Sequence, residues 1–174
     1  MRNKYLLCDR DGTLIKHVPY LHLIEQVEIS PGVIPVLKIA SQLNFRFGIL
    51  SNQSVIGRGF ASRKEVDRVN AFVSLELSRL GNIYFDFIYY CPHVPEDKCM
   101  CRKPEIGMIQ DDLSAGRISI SESFMIGDQE TDVLFGKNIG VKTVLISETE
   151  GIETQADYIV QDFLAIESLL RRHS

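Results

Sequence analysis

The sequence contains no tryptophan and no excess of positive charge: 19 Lys and Arg stand against 23 Asp and Glu, a formal net charge of −4. Nucleic-acid binding relies on a basic face against phosphates and on stacking aromatics, so this balance argues against it. No run approaches the roughly 18–20 apolar residues that span a bilayer, so no membrane partner is expected. The N-terminal stretch MRNKYLLCDRDG meets acidic residues too early for a signal peptide. There is no long low-complexity run and no repeat at solenoid periods. Cysteine is scarce: of four, three lie within eleven residues, beside a histidine. That distribution favours a bound metal and a reducing compartment over a disulfide framework. We therefore expect a cytoplasmic protein. A length of 174 residues, 45% of them hydrophobic and 24% charged, suits a single domain spanning 1–174 with a well-buried core. A monomer is expected.

Strand and helix patterns alternate along the chain. KYLLCD (4–9), FRFGILSN (45–52), FDFIYYC (85–91), SFMIGD (123–128) and VKTVLIS (141–147) read as strands, with DYIV (157–160) as a last edge strand. Helices are expected over 31–43, 62–81, 106–116, about 130–139 and about 162–171. Pro35 fits only in the first turn of its helix. Ser62 and Glu65 form a capping-box pattern, Val66, Val69, Val73, Leu77 and Leu80 make an apolar stripe, and Gly81 closes that helix. Strands separated by helices predict right-handed crossovers and a doubly wound α/β parallel sheet, covered on both faces. Ligands bind such sheets beyond the carboxyl ends of the strands. Asp9, Asp11, Ser51, Cys91 and Asp128 each stand at or just after such an end. Strands often run into polar loops, but four ends bearing acid, hydroxyl, ligand and acid point to one functional edge.

Asp9 and Asp11 lie in DRDGT, residues 9–13. An ordinary turn is one reading. A calcium loop is another, but it needs a glutamate at its twelfth position, and that position holds Tyr20. The third is nucleophilic catalysis, in which one carboxylate attacks phosphorus and the other serves as general acid and base. A divalent cation would then quench the charge of carboxylate and phosphate. Asp128 and Asp132 in MIGDQETD follow a strand and open a helix. Hard oxygen ligands of this kind suit Mg²⁺. Cys91-x-His93, a five-residue gap and Cys99-x-Cys101 supply four soft ligands for a closed, structural Zn²⁺ site. Such a zinc would pin a loop too short for a core of its own and fix the directions of Arg102 and Lys103. A group of unliganded thiols is the plainer reading.

LLCDRDGT, Ser51 in ILSNQS, Lys103 and IGDQETD together resemble the four motifs of the haloacid dehalogenase (HAD) superfamily, in order, over roughly residues 4–147. The resemblance implies a HAD-like fold, with Asp9 as nucleophile and Asp11 as general acid/base. Ser51 and Lys103 would hold the transferring phosphoryl group. Mg²⁺ would sit on the Asp9 carboxylate, the Asp11 backbone carbonyl and Asp128, with Asp132 orienting Lys103 or metal waters. Only 41 residues lie between Asp9 and Ser51, and 51 between Ser51 and Lys103. No separate cap domain fits, so a capless enzyme with a short zinc-binding loop is expected.

The zinc loop followed by CRKP is similar to a HAD group with two branches. One hydrolyses D-glycero-D-manno-heptose 1,7-bisphosphate, on the route to nucleotide-activated heptose for lipopolysaccharide or capsule. The other hydrolyses histidinol phosphate. SNQSVIGRG (51–59) and the 22-residue step from Asp9 to Pro31 resemble the heptose branch. The short zinc loop and PGVIPVL resemble the histidinol branch. In KHVPY (16–20), Tyr20 keeps its place, but Pro19 stands at a glycine position of the heptose pattern. The expected substrate is the heptose bisphosphate, with histidinol phosphate as the alternative. The resemblance implies substrate contacts from Asn52, Gln53, Ser54 and Arg102, with Tyr20, Arg58 and His17 as further candidates. Arginine's planar fork suits a second phosphate. A phosphatase of nucleic-acid 3′ ends and a non-enzymatic zinc-stabilised module are the rival classes.

Overall fold

The computed structural model describes residues 2–149 and 151–173. Six strands form one sheet: β1 (Tyr5–Cys8), β2 (Arg46–Asn52), β3 (Phe87–Cys91), β4 (Phe124–Gly127), β5 (Lys142–Ile146) and β6 (Tyr158–Val160). Their spatial order is β3-β2-β1-β4-β5-β6, and every pairing is parallel. This is the doubly wound order, whose switch point falls between β1 and β4. The α/β expectation holds.

Alternation along the strands sorts side chains onto two faces. Leu6, Cys8, Ile49, Phe124 and Ile126 pack against Val33, Val36, Leu37 and Ala40 of α1 (Val33–Gln42) and Val69, Val73 and Leu77 of α3 (Arg63–Gly81). Ile166, Leu169 and Leu170 of the C-terminal α6 (Ile166–Arg172) complete that layer. Tyr5, Leu7, Leu50 and Met125 face the other way, onto Phe135 and Ile139 of α5 (Glu130–Ile139). Two short helices, α2 (Ser54–Gly57) and α4 (Gln110–Ser114), lie in the connections. Residues 9–32 carry turns, two isolated bridges (Asp11 with Ile15, Ile15 with Ile29) and one 3₁₀ turn, so no cap is inserted there. Among the described residues no helix is long and apolar enough to cross a membrane.

Three boundaries depart from expectation. The Ser62–Glu65 capping box forms as read, but α3 is closed by Asn82 in the left-handed region (φ 56°), with Gly81 still helical and buried. Leu80 is 43% exposed, and Asn70 takes the buried place on the stripe. The helix expected over 106–116 shrinks to α4, because residues 106–109 are held against the preceding loop: the Gly107 N–H donates to the Met100 carbonyl at 2.8 Å. The last helix starts at Ile166 rather than 162, after Asp162 Oδ1 accepts from the Ala165 N–H at 2.9 Å.

Candidate active site

The strand ends deliver their side chains to one cleft at the β1/β4 switch point. Asp9, Asp11, His17, Ser51, Asn52, Arg102, Lys103, Asp128 and Asp132 line a cavity of about 380 Å³. A side lobe of about 280 Å³ shares Asp11, His17 and Asn52 and extends to Tyr20, Gln53, Ser54 and Arg58. Tyr20 is held at φ 56° and packs edge-on against Phe60, with ring centroids 4.8 Å apart.

Lys103 is 2% exposed. Its Nζ lies 2.6 Å from Asp9 Oδ1 and 2.6 Å from Asp132 Oδ1, and it also donates to the Leu50 carbonyl. A buried charge is tolerated only when paired. Burial works to lower the Lys103 pKa, but the Asp132 and Asp9 carboxylates overcome it, and the net shift is upward. Asp9 is pushed up to about 6, chiefly by burial, against which the Lys103 charge pulls down. Burial also raises Asp128. Asp132 is spent within the protein: besides Lys103, it accepts from the Gln129 N–H at 3.1 Å. It therefore orients the lysine.

Two glycines make this density of carboxylates possible. Gly12 adopts φ +81°, and a Cβ there would collide with the Asp128 carboxylate. A Cβ at Gly127 would strike the Asp132 side chain. Small displacements of positioning groups cost catalysis heavily. Gly127→Ala is therefore expected to lower kcat/KM by about 10- to 100-fold while the protein stays folded by circular dichroism. Activity within twofold of the parent would show that Asp132 need not be held where it is.

The Asp9, Asp128 and Asp132 oxygens lie within 4.8 Å of one another. With both Asp132 oxygens engaged, by Lys103 and the Gln129 N–H, Asp9 and Asp128 remain as the hard oxygen pair that Mg²⁺ prefers, and they face the cleft. The four soft ligands also converge. Cys91 Sγ lies 3.5 Å from His93 Nδ1, 3.5 Å from Cys99 Sγ and 3.1 Å from Cys101 Sγ. His93 Nδ1 is 3.2 Å from Cys101 Sγ, and Cys99 Sγ is 3.5 Å from Cys101 Sγ. The ligand atoms of all four lie within 4.8 Å of one another, so the donor set fits one tetrahedral Zn²⁺. Burial raises Cys91, and hydrogen bonds from its neighbours outweigh burial at Cys99 and bring it to about 7.

This cluster is tied to the cleft. The Gln53 N–H donates to the Cys91 carbonyl at 2.7 Å. Arg102 Nη1 donates to the His93 carbonyl at 3.1 Å and to Ser54 Oγ at 2.9 Å. Asn52 clasps the backbone of Lys103, donating to its carbonyl at 3.1 Å and accepting from its N–H at 3.0 Å. The Asn52 amide is thus a brace between the end of β2 and the lysine loop. Gln53 is buried, and its amide joins Asp11, Ser51 and Arg10.

Two residues of the site lie outside the sequence reading. Arg10, the spacer between the two aspartates, is 1% exposed and bonded on three sides. Asn70 reaches it from α3 at 2.7 Å. The available signal was a polar residue set on the apolar face of α3 beside Val66, Val69 and Val73.

Residues 100–166 match a family model described as HAD-hydrolase-like. The D-glycero-beta-D-manno-heptose-1,7-bisphosphate 7-phosphatase of Helicobacter pylori (strain 26695) is 33% identical over 170 residues, covering 97% of this chain and 98% of that protein. The histidine biosynthesis bifunctional protein HisB of Legionella pneumophila (strain Lens) is 36% identical over 162 residues. That match takes in 91% of this chain but 46% of the relative. Among solved structures, a D,D-heptose 1,7-bisphosphate phosphatase from B. bronchiseptica, complexed with magnesium and phosphate, shares the fold with a TM-score of 0.86. It is 22% identical, and the match covers 98% of this chain and 99% of that one. With a relative aligned along nearly its whole length and four motif positions gathered in one cleft, the chain belongs to the HAD phosphatases, which are phosphoric monoester hydrolases.

Proposed function

We propose that this phosphatase acts on D-glycero-D-manno-heptose 1,7-bisphosphate with Mg²⁺, through an aspartyl-phosphate intermediate, in the supply of nucleotide-activated heptose. The observation that carries this reading is the buried contact of Lys103 Nζ with Asp9 at 2.6 Å, in a cleft that also holds Asp11, Ser51 and Asp128. Two carboxylates, a cation and a hydroxyl line one cleft, which supports this reading. The full-length relative named for the heptose bisphosphate supports the substrate.

In this mechanism an Asp9 oxygen attacks phosphorus as the bond from phosphorus to the sugar oxygen breaks. Asp11 gives its proton to the departing oxygen. Water then attacks the phosphorus of the aspartyl phosphate, its proton passes to Asp11, and the Asp9 carboxylate is released with inorganic phosphate. Lys103 and Ser51 hold the phosphoryl oxygens, whose charge spreads during transfer. Asp9, Asp128 and the Asp11 backbone carbonyl would hold Mg²⁺, which supplies neutralising charge to nucleophile and phosphate when bound. Cys91, His93, Cys99 and Cys101 would hold a structural Zn²⁺. The side lobe beside Ser54, Arg58 and Tyr20, with Arg102 at the rim of the cleft, offers cationic contacts for the second phosphate.

Histidinol phosphate is the second reading, favoured by the HisB match over 91% of this chain. Measuring kcat/KM with Mg²⁺ for both anomers of the heptose bisphosphate and for histidinol phosphate separates the two. The heptose bisphosphate is expected to lead by at least about 100-fold, since recognition of a second charged group is worth several kcal/mol. A preference for histidinol phosphate would reverse the assignment.

A further inference from the structure

Arg10 is a buried cation that the proposed chemistry does not use. It is 1% exposed, and arginine is almost never that buried without a reason. It does not line the cleft, so it is not placed to touch substrate. All of its faces are taken inside the protein. Nε donates to Asp11 Oδ2 at 3.1 Å, and Nη2 donates to Asp11 Oδ1 at 3.1 Å. Nη2 also donates to Gln53 Oε1 at 2.8 Å, and Nη1 donates to Asn70 Oδ1 at 2.7 Å. Gln53 Nε2 closes the ring, donating to Asp11 Oδ2 at 2.7 Å and to Ser51 Oγ at 2.8 Å. The Asp11 carboxylate therefore carries three donors from two side chains, one of them a planar fork. Asn70, anchored on α3, fixes that fork from behind.

A carboxyl group held by a bidentate fork cannot swing about its own side-chain torsions. A general acid works only when its oxygen lies within hydrogen-bond reach of the atom it protonates. We infer that Arg10, Gln53 and Asn70 form a clamp that positions Asp11 for proton transfer to the leaving oxygen. The inference rests on the reading of Asp11 as the general acid. Arg10 and Asn70 are positioning residues that act through Asp11. The clamp also joins the acid to Ser51, so the proton donor and the phosphoryl-binding hydroxyl share one rigid frame.

The test is the dependence of kcat/KM on the leaving group across substituted phenyl phosphates, from 2,4-dinitrophenyl to phenyl. A good leaving group needs no proton, whereas a poor one does. In Arg10→Lys, which keeps the charge and loses the fork, the loss is expected to grow from less than about threefold at the dinitrophenyl end to about 100-fold at the phenyl end. Asn70→Leu, which keeps the branched shape and loses the acceptor, is expected to steepen the series in the same direction by about tenfold, and it carries the test if Arg10→Lys does not fold. A merely structural role would lower every substrate equally, and such a uniform loss in folded protein would overturn the clamp. Asp11→Asn is the control. Steepening in Asp11→Asn with a uniform loss in Arg10→Lys and Asn70→Leu would overturn the clamp alone. No steepening in Asp11→Asn would overturn the assignment of Asp11 as acid, and the clamp with it.

Discussion

Asp9→Asn is expected to lower turnover by at least about 10³-fold, because it removes the carboxylate proposed to attack and no neighbour can replace it. Asp11 is held by Arg10 and Gln53, and both Asp132 oxygens are engaged, by Lys103 and the Gln129 N–H, so neither is free to attack. The same substitution should act oppositely on the metal-free fold. The Asp9 pKa rises from its ordinary 3.8 to about 6, with burial as the leading cause. A group whose pKa is raised on folding contributes stability below its unfolded value and loses that contribution as pH rises through the folded one. For Asp9 that contribution is lost as pH rises through about 6. With a chelator at neutral pH, Asp9→Asn should therefore melt several degrees above the parent. Adding Mg²⁺ should raise the parent's melting temperature and leave the variant's unchanged. An inactive variant that also melts lower without metal would mean that Asp9 is held mainly for its ion pair with Lys103.

Removing the zinc ligands has the second large effect. Cys99→Ser is the informative change, since Cys91 is buried at the end of β3 and Cys99 is only half-buried in the loop. The loop from residue 92 to 101 contains a single 3₁₀ turn, Pro95–Asp97, and apart from Pro92 it buries no apolar side chain. Its order must come from the cluster. The His93 carbonyl steers Arg102, and Asn52 then receives Lys103. Loss of the metal should free this chain of contacts, open residues 92–101 to limited proteolysis and lower kcat/KM by at least about tenfold. The parent should carry one zinc per chain by elemental analysis. A zinc-free protein with unchanged kcat/KM and protease resistance would show that the cations are aimed without it.

Much of the site was legible because its chemistry is unevenly spread along the sequence. Asp9, Ser51, Cys91 and Asp128 close apolar strand runs, and a parallel sheet sends all such ends to one edge. The ligands of the Cys/His cluster stand so close in sequence that their convergence needed little tertiary information. What remained hidden depends on pairings between distant elements. Arg10 reads as a spacer between two aspartates, and only the fold brings Asn70, sixty residues on, to its guanidinium. Asn52 ends β2 and Gln53 follows it, in a pattern that suggests substrate contact. In the folded chain the Asn52 amide braces Lys103 and the Gln53 amide is enclosed between Arg10, Asp11 and Ser51. The short α4 has the same cause: periodicity cannot register that Gly107 must close against Met100.

The most direct test of the central claim is to trap the covalent intermediate. Asp11→Asn, which lacks the base that activates water, would be mixed with Mg²⁺ and 2,4-dinitrophenyl phosphate, whose leaving group needs no proton, then quenched within milliseconds, digested and analysed by mass spectrometry. The account predicts one phosphoryl group on Asp9, removed by hydroxylamine as an acyl phosphate is. A phosphoryl group on Ser51, or none at all while product accumulates, would contradict it.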